Sequence, residues 1–145
     1  MSLRDGTVKM SKSDESNYSR IDLKDSADEI IKKIKKAKSD SSVIPDNLKD
    51  LKNKPEALNL ITIYSSLSDR SLDQVLSEVM GKEYSYLKNK LSEALVEVIC
   101  PVGKEIKKLL NDKSFLEKTL KEGTEKARTI AERNLKEIKN VVGFF

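Results

Sequence analysis

Tyr84-Ser85-Tyr86-Leu87-Lys88-Asn89-Lys90-Leu91-Ser92-Glu93-Ala94-Leu95-Val96-Glu97-Val98-Ile99-Cys100-Pro101-Val102-Gly103-Lys104-Glu105-Ile106-Lys107-Lys108-Leu109-Leu110 is the stretch whose reading decides the fold. Leu87, Leu91, Ala94, Leu95, Val98, Ile99, Val102, Ile106, Leu109 and Leu110 recur three and four residues apart, the period of one helix face. The spacing predicts a long helix with these residues inward. Pro101 lies inside that period and should kink or split the helix, since proline lacks an N–H and crowds the preceding turn.

Working back from it, Ser71 with Gln74 predicts a capped helix with Leu72, Val75, Leu76, Val79 and Met80 inward and Gly81 at its stop. Pro55 suits a first helical turn. Ala57, Leu58, Leu60, Ile61, Ile63, Tyr64 and Leu67 follow, too many for one face, which places that helix centrally. Residues 39 to 54 are polar and broken by Pro45, a connecting loop. Ser26 with Glu29 forms a capping box ahead of Ala27, Ile30, Ile31, Ile34 and Ala37, with Lys32, Lys33, Lys35, Lys36 and Lys38 filling the surface. Working forward, Ser114 with Glu117 predicts a cap before Phe115, Leu116 and Leu120, and Gly123 is a stop or a tight packing point. Ala127, Ile130, Ala131, Leu135, Ile138 and Val142 are expected inward on the last helix, and Phe144-Phe145 close the bundle or fray. The fold class is all-α: a bundle of about five or six helices, preceded by a short extended segment and a mobile Lys/Ser loop.

Composition bounds the chemistry. The 145 residues suit one modest core, and 36% charged against 37% hydrophobic residues without Trp suits a solvated helical bundle. Net charge is +4 and the pI about 9.0, compatible with a polyanionic partner. With one cysteine there is no internal disulfide and no thiolate metal cluster; the apolar neighbours of Cys100 predict a buried structural thiol. The absence of histidine excludes a histidine base, a His-based triad and histidine-ligated zinc, and no metal site is expected. No apolar run reaches membrane-spanning length, and the expected setting is intracellular, cytoplasmic and without a membrane.

The residues that carry chemistry lie at the start. Met1 to Leu3 read as a short strand or extended start, Asp5-Gly6 as a turn, and Lys9-Met10-Ser11-Lys12-Ser13 as a flexible loop with two mobile positive charges. Such a loop suits a phosphate chain: lysine is a point charge on a flexible stem, and Ser11 and Ser13 add donors. Tyr18, Ile21 and Leu23 are expected to anchor its far end on apolar surface, while residues 6 to about 17 stay mobile. Lysines and serines also crowd ordinary disordered loops, so the pentapeptide alone divides evenly between the two readings.

Context weighs on the choice. Met1-Ser2-Leu3, Asp5-Gly6-Thr7, the loop, Asp14, and the capped helix with Lys32-Lys33-Ile34 and Ala37-Lys38 together resemble a class I aminoacyl-tRNA synthetase. Asn59-Leu60-Ile61-Thr62-Ile63-Tyr64-Ser65-Ser66-Leu67-Ser68, Gly81-Lys82 with Tyr84, and Glu122-Gly123 with Glu125-Lys126-Ala127 narrow the resemblance to the C-terminal part of bacterial-type tryptophanyl-tRNA synthetases, over essentially the whole chain. That resemblance implies ATP- and Mg2+-dependent activation of tryptophan to its adenylate, release of pyrophosphate, and transfer to tRNA-Trp. It implies Lys12 as the cation that stabilises the leaving pyrophosphate, Lys9 as its support, and Lys9, Met10, Ser11, Lys12 and Ser13 as the ATP-binding loop. It divides the chain into residues 1–24, the end of the nucleotide-binding domain, and residues 25–145, a helical domain of the anticodon-binding type.

The same resemblance marks what is missing. The family's His-x-Gly-His element, adenine-binding sheet and tryptophan pocket would lie upstream, so this chain is expected to be an inactive fragment, with Met1 an internal methionine serving as its start. Its parent is expected to be a homodimer that does not bind DNA, and the face docked on the missing domain to be exposed and apolar. Candidate tRNA-binding cations are Lys104, Lys107 and Lys108 on the long helix and Lys126, Arg128 and Arg133 on the last. Lys107 and Lys108 have Glu105 close by and Arg133 follows Glu132, so ordinary surface ion pairs explain them equally well, and the RNA role falls to the surface as a whole. A second reading, a freestanding basic helical RNA-binding or interaction module without catalysis, differs in one respect: no histidine-containing nucleotide-binding fold would precede it in its reading frame.

Overall fold

The computed structural model describes residues 1–143 and is all-helical, with six α-helices and no strand among those residues. In order they are α1 (Ala27–Lys35), α2 (Leu48–Lys52), α3 (Pro55–Ser68), α4 (Leu72–Val79), α5 (Tyr84–Asn111) and α6 (Lys113–Val142), after a short 3-10 turn at Asn17–Ser19. The chain forms two compact units, Met1–Lys104 and Glu105–Phe145.

The core belongs to the first unit. α3 is its centre: Ala57, Leu60, Ile61 and Tyr64 are buried, Leu58, Ile63 and Leu67 pack around them, and the helix touches both α2 and α4. Ile30 and Ile34 of α1, Val75, Leu76 and Val79 of α4, and Leu87, Leu91 and Leu95 of α5 complete the cluster, with Leu3 and Ile44 from the connecting segments. The capping boxes at Ser26/Glu29 and Ser71/Gln74 are both closed, Pro55 opens α3, and Gly81 turns the chain after α4 with φ +70°.

Several expectations are corrected. The segment 39–54 is not all loop: Asn47 caps the short helix α2, whose Leu51 enters the core. Pro101 does not split α5, because both Pro101 and Glu97, whose carbonyl the missing N–H leaves unpaired, face solvent. The cap of α6 is Asp112, which accepts from Phe115 N at 3.0 Å; Ser114 already lies inside the helix. Gly123 neither stops α6 nor packs tightly, since nothing lies within 4 Å of where its Cβ would be.

Lys33 is buried rather than on the surface, because Asp25 meets its ammonium at 2.6 Å. Cys100 is half-buried and Leu23 exposed. The inward stripe of α5 holds only for its first half; Val98, Val102, Leu109 and Leu110 are exposed. On α6, Ile130, Leu135, Ile138 and Val142 are all exposed and none of the helix is buried, because a lone apolar stripe needs a facing element to cover it. Phe144 and Phe145 lie outside the described residues.

Candidate functional site

The loop at residues 9–13 hangs from a frame made by two buried residues, Ser2 and Leu3. Ser2 N donates to Val8 O at 2.7 Å, closing the upstream arm, and Leu3 N donates to Ser19 O at 2.9 Å, closing the downstream arm. Leu3 O accepts from Lys38 N at 2.8 Å, which ties the frame to the exit of α1. The expected strand at Met1–Leu3 is therefore an extended segment whose backbone groups are used by loop ends rather than by a ladder.

The turn forms as its residue types dictate. Asp5 Oδ1 accepts from Thr7 N at 2.9 Å and from Thr7 Oγ1 at 2.6 Å, and Asp5 O accepts from Val8 N at 3.2 Å. The bonds from the Thr7 hydroxyl and amide hold the Asp5 carboxyl below its usual range. Gly6 is required by proximity: a Cβ there would stand 2.4 Å from the carbonyl carbon and oxygen of Pro55. The frame is thus pressed against the first turn of α3. Beside it Lys38 meets Glu56 at 2.8 Å, which raises the lysine and lowers the carboxyl.

Beyond Val8 the loop is open. Lys9, Ser11, Lys12 and Ser13 are exposed, while Met10 is half-buried against the core. Among the described residues no ion pair involves Lys9 or Lys12. The local bonds are short-range: Ser13 N to Ser11 Oγ at 3.2 Å, and Ser16 N to Asp14 Oδ1 at 2.8 Å. The arrangement offers two ammonium groups on a solvated arch whose feet are fixed, which suits a charged chain of phosphates better than a compact ligand.

The downstream foot is held by residues the sequence reading did not single out. Arg20 donates to Asp14 O at 3.1 Å and to Asn17 Oδ1 at 2.8 Å, and its Nε lies 3.4 Å from Asp22. Asp22 and Asp25 in turn flank Lys33 of α1, at 3.7 and 2.6 Å. Tyr18 meets cations rather than the expected apolar surface: the Lys36 ammonium stands 4.4 Å from its ring centroid and, with Lys32, holds the phenol below its usual range. Ile21 packs on the core.

The six candidate RNA cations are all exposed. Lys104 ends the first unit and the other five belong to the second. Lys108 is engaged by Glu105 at 3.2 Å. Lys126 and Arg133, seven residues apart, share one side of α6; Arg128, two residues beyond Lys126, lies on the other. They do not form one patch on that helix. Among the described residues no group of three or more His, Cys, Asp or Glu is placed to hold a metal ion, and no helix is long and apolar enough to cross a membrane.

A helical core that holds a lysine-serine arch near its N-terminal edge defines a class of protein. Residues 1–100 match the family described as tRNA synthetases class I (W and Y), and the chain belongs to that family. Within it the similarity runs to the tryptophan enzymes. The tryptophan–tRNA ligase of Agrobacterium fabrum is 48% identical over 144 residues, which is 99% of this chain and 41% of the relative. That of Caulobacter vibrioides is 44% identical over 145 residues, 100% of this chain and 42% of the relative. The crystal structure of tryptophanyl-tRNA synthetase from Mycoplasma pneumoniae superposes with a TM-score of 0.74 at 28% identity, covering 100% of this chain and 45% of that one. The chain thus spans 41 to 42% of the length of these two relatives.

Proposed function

We propose that this chain is the C-terminal part of a tryptophan–tRNA ligase, and that its loop acts in the first half-reaction. There the carboxylate of tryptophan attacks the α-phosphorus of ATP; the bond from that phosphorus to the α,β-bridging oxygen breaks and pyrophosphate leaves with its electron pair. Negative charge grows on the leaving group, and Lys12, supported by Lys9, supplies positive charge to it, while Ser11 and Ser13 donate to phosphate oxygens. The observation that carries this reading is the arch itself: both lysines are exposed and outside any ion pair among the described residues, on an arch fixed at both feet. The expected mobile stretch of residues 6 to about 17 is narrowed by the seated turn at residues 6–8: residues 9 to about 16 move as a lid that opens for nucleotide and closes for chemistry.

In this reading residues 1–24 end the nucleotide-binding domain and residues 25–145 form the helical, anticodon-binding type domain. Lys104, Lys107, Lys108, Lys126, Arg128 and Arg133 contribute positive surface toward tRNA-Trp, and the exposed stripe of α6 accords with a face that another part of the enzyme covers. The donor set does not fit a resident metal site, so the Mg2+ that accompanies ATP is held by the phosphates and by groups outside this chain. The whole enzyme works in the cytoplasm as a homodimer without affinity for DNA. The test is ATP–pyrophosphate exchange by the full-length protein with tryptophan, wild type against Lys12→Ala. Tryptophan-dependent exchange that falls by about 10²-fold or more in the variant supports the reading. Exchange unaffected by the change removes Lys12 from the mechanism, and exchange with tyrosine alone removes tryptophan.

A further inference from the structure

Asn59 is a polar residue in the middle of the most apolar helix of the molecule, and it is only 6% exposed. Its carboxamide is spent wholly on the chain that leads into the loop. Nδ2 donates to Ser2 O at 3.0 Å and to Met1 O at 3.2 Å, and Oδ1 accepts from the terminal ammonium of Met1 at 3.0 Å. These bonds join residues 57 and 58 positions apart. No other side chain of α3 reaches the frame by a hydrogen bond among the described residues.

The frame has no freedom to spare. Ser2 N and Leu3 N are committed to Val8 and Ser19, and Leu3 O to Lys38. Ser2 O and Met1 O are thus left to Asn59, and without it two buried or half-buried carbonyls would lose their protein partner. Four residues further along, Gly6 lies against the main chain of Pro55 and Glu56, the first turn of the same helix. A carboxamide fits this place as no apolar residue could: its two N–H donors meet the two C=O groups of an extended segment, and both bonds are independent of the charge on the nitrogen of Met1.

We propose that Asn59 is a positioning residue for adenylate formation: it registers the loop's frame on α3, so that the position of the helical core sets the position of Lys9 and Lys12. It touches neither ATP nor tryptophan and acts through Ser2 and Leu3. The inference rests on the function proposed above for the loop. A displaced foot moves both ammonium groups relative to the leaving phosphate, and a misplacement of about 1 Å can cost about 10²-fold in rate.

The test uses the full-length protein, wild type and the variants Asn59→Ala, Asn59→Asp and Val79→Ala. Val79→Ala is a core truncation in α4 with no bond to the frame, and it controls for lost stability. Steady-state pyrophosphate exchange is measured at a temperature where all four are folded, together with amide hydrogen exchange of residues 2–19. Asn59→Ala is expected to lower kcat by at least about 10-fold with the KM for tryptophan unchanged, and to speed amide exchange at Leu3. Asn59→Asp, which keeps the acceptor and loses both donors, is expected to behave like Asn59→Ala, and Val79→Ala to keep its kcat. Equal kcat loss in Asn59→Ala and Val79→Ala, or unchanged protection at Leu3 in Asn59→Ala, overturns the proposal. A wild-type protein without tryptophan-dependent exchange refutes the function assigned to the loop. The registration of the frame is then judged by amide exchange alone: faster exchange in Asn59→Ala upholds it and unchanged exchange overturns it.

Discussion

Alanine at Gly6 and alanine at Gly123 are the same chemical change, and the structure gives them opposite signs. At Gly6 the new Cβ would lie 2.4 Å from Pro55 C and O and 2.6 Å from Glu56 N. Against ordinary contact from 3.4 Å the shortfall is about 1 Å, and the opposing atoms are main chain, which cannot rotate away. The frame must lift from α3. Overpacking of this kind costs about 1–3 kcal/mol, and main-chain opposition puts it near the upper end. The loss of chain freedom in the unfolded state returns about 0.4–1 kcal/mol, leaving a net loss of about 2 kcal/mol. At Gly123 the Cβ enters open space inside α6, so helix propensity alone acts, a gain of about 0.5–1 kcal/mol.

The assay is urea unfolding of residues 1–145. All four tyrosines, Tyr18, Tyr64, Tyr84 and Tyr86, lie in the first unit, so near-UV dichroism reports that unit while far-UV dichroism also follows α6. With a slope of about 1–3 kcal/mol per molar urea, Gly6→Ala should lower the near-UV midpoint by about 1 M. Gly123→Ala should leave that midpoint in place and raise the stability of the far-UV transition. A near-UV midpoint for Gly6→Ala at or above wild type would refute the close seating of the loop frame on α3.

Two further outcomes are expected. Lys33→Met leaves Asp25 without its buried partner and should cost about 3–5 kcal/mol, whereas Lys33→Met with Asp25→Asn together should recover most of the loss; equal losses in single and double variants, read by the same unfolding curves, would sink the ion-pair account. Tyr84 is buried with its hydroxyl unpartnered among the described residues, and burial first, then the charges of Asp40 and Glu56, push its phenol from 10.0 to about 12. The unfolded chain loses this proton first, so stability should be full below about pH 10 and fall between pH 10 and 12, with a phenol step from Tyr84 near pH 12 in the ultraviolet titration. In Tyr84→Phe the late step disappears without loss of stability near neutral pH; a large loss would mean that the hydroxyl has a partner.

What the sequence made legible was local. Ser26/Glu29 and Ser71/Gln74 announced caps because a capping box is closed by residues three apart, and Pro55 and Gly81 marked ends that the backbone enforces by itself. The centrality of α3 was legible too, since its apolar residues exceed one face and leave only a narrow solvent side at Thr62 and Ser66. The period of Leu87, Leu91 and Leu95 was true, but the same period in α6 bought no burial: periodicity tells which face is apolar, not whether anything covers it. Leu48–Lys52 escaped notice because five residues carry too little period to outweigh Pro45.

At the site, the lysine-serine run stood out by composition, and the exposure of Lys9 and Lys12 accords with it. The residues that hold the arch did not stand out. Arg20, Lys33 and Asn59 act on partners that are distant in sequence or lie in irregular segments, where no repeat exposes them. Asn59 alone left a trace, as the one amide among Leu58, Leu60 and Ile61 on a helix otherwise given to the core.

Both feet of the arch return to the same two residues, Ser2 and Leu3. Its span is therefore set by that pair and not by the number of residues between Val8 and Ser19. Lengthening a flexible connection between fixed ends costs little, about 0.6 kcal/mol for each doubling. An insertion after Ser13 would leave the fold and the feet unchanged, and would alter only how far Lys9 and Lys12 can reach. Length here is free to the fold and is constrained only by what the lysines must meet, so tolerance to insertion would separate a working arch from an ornamental one.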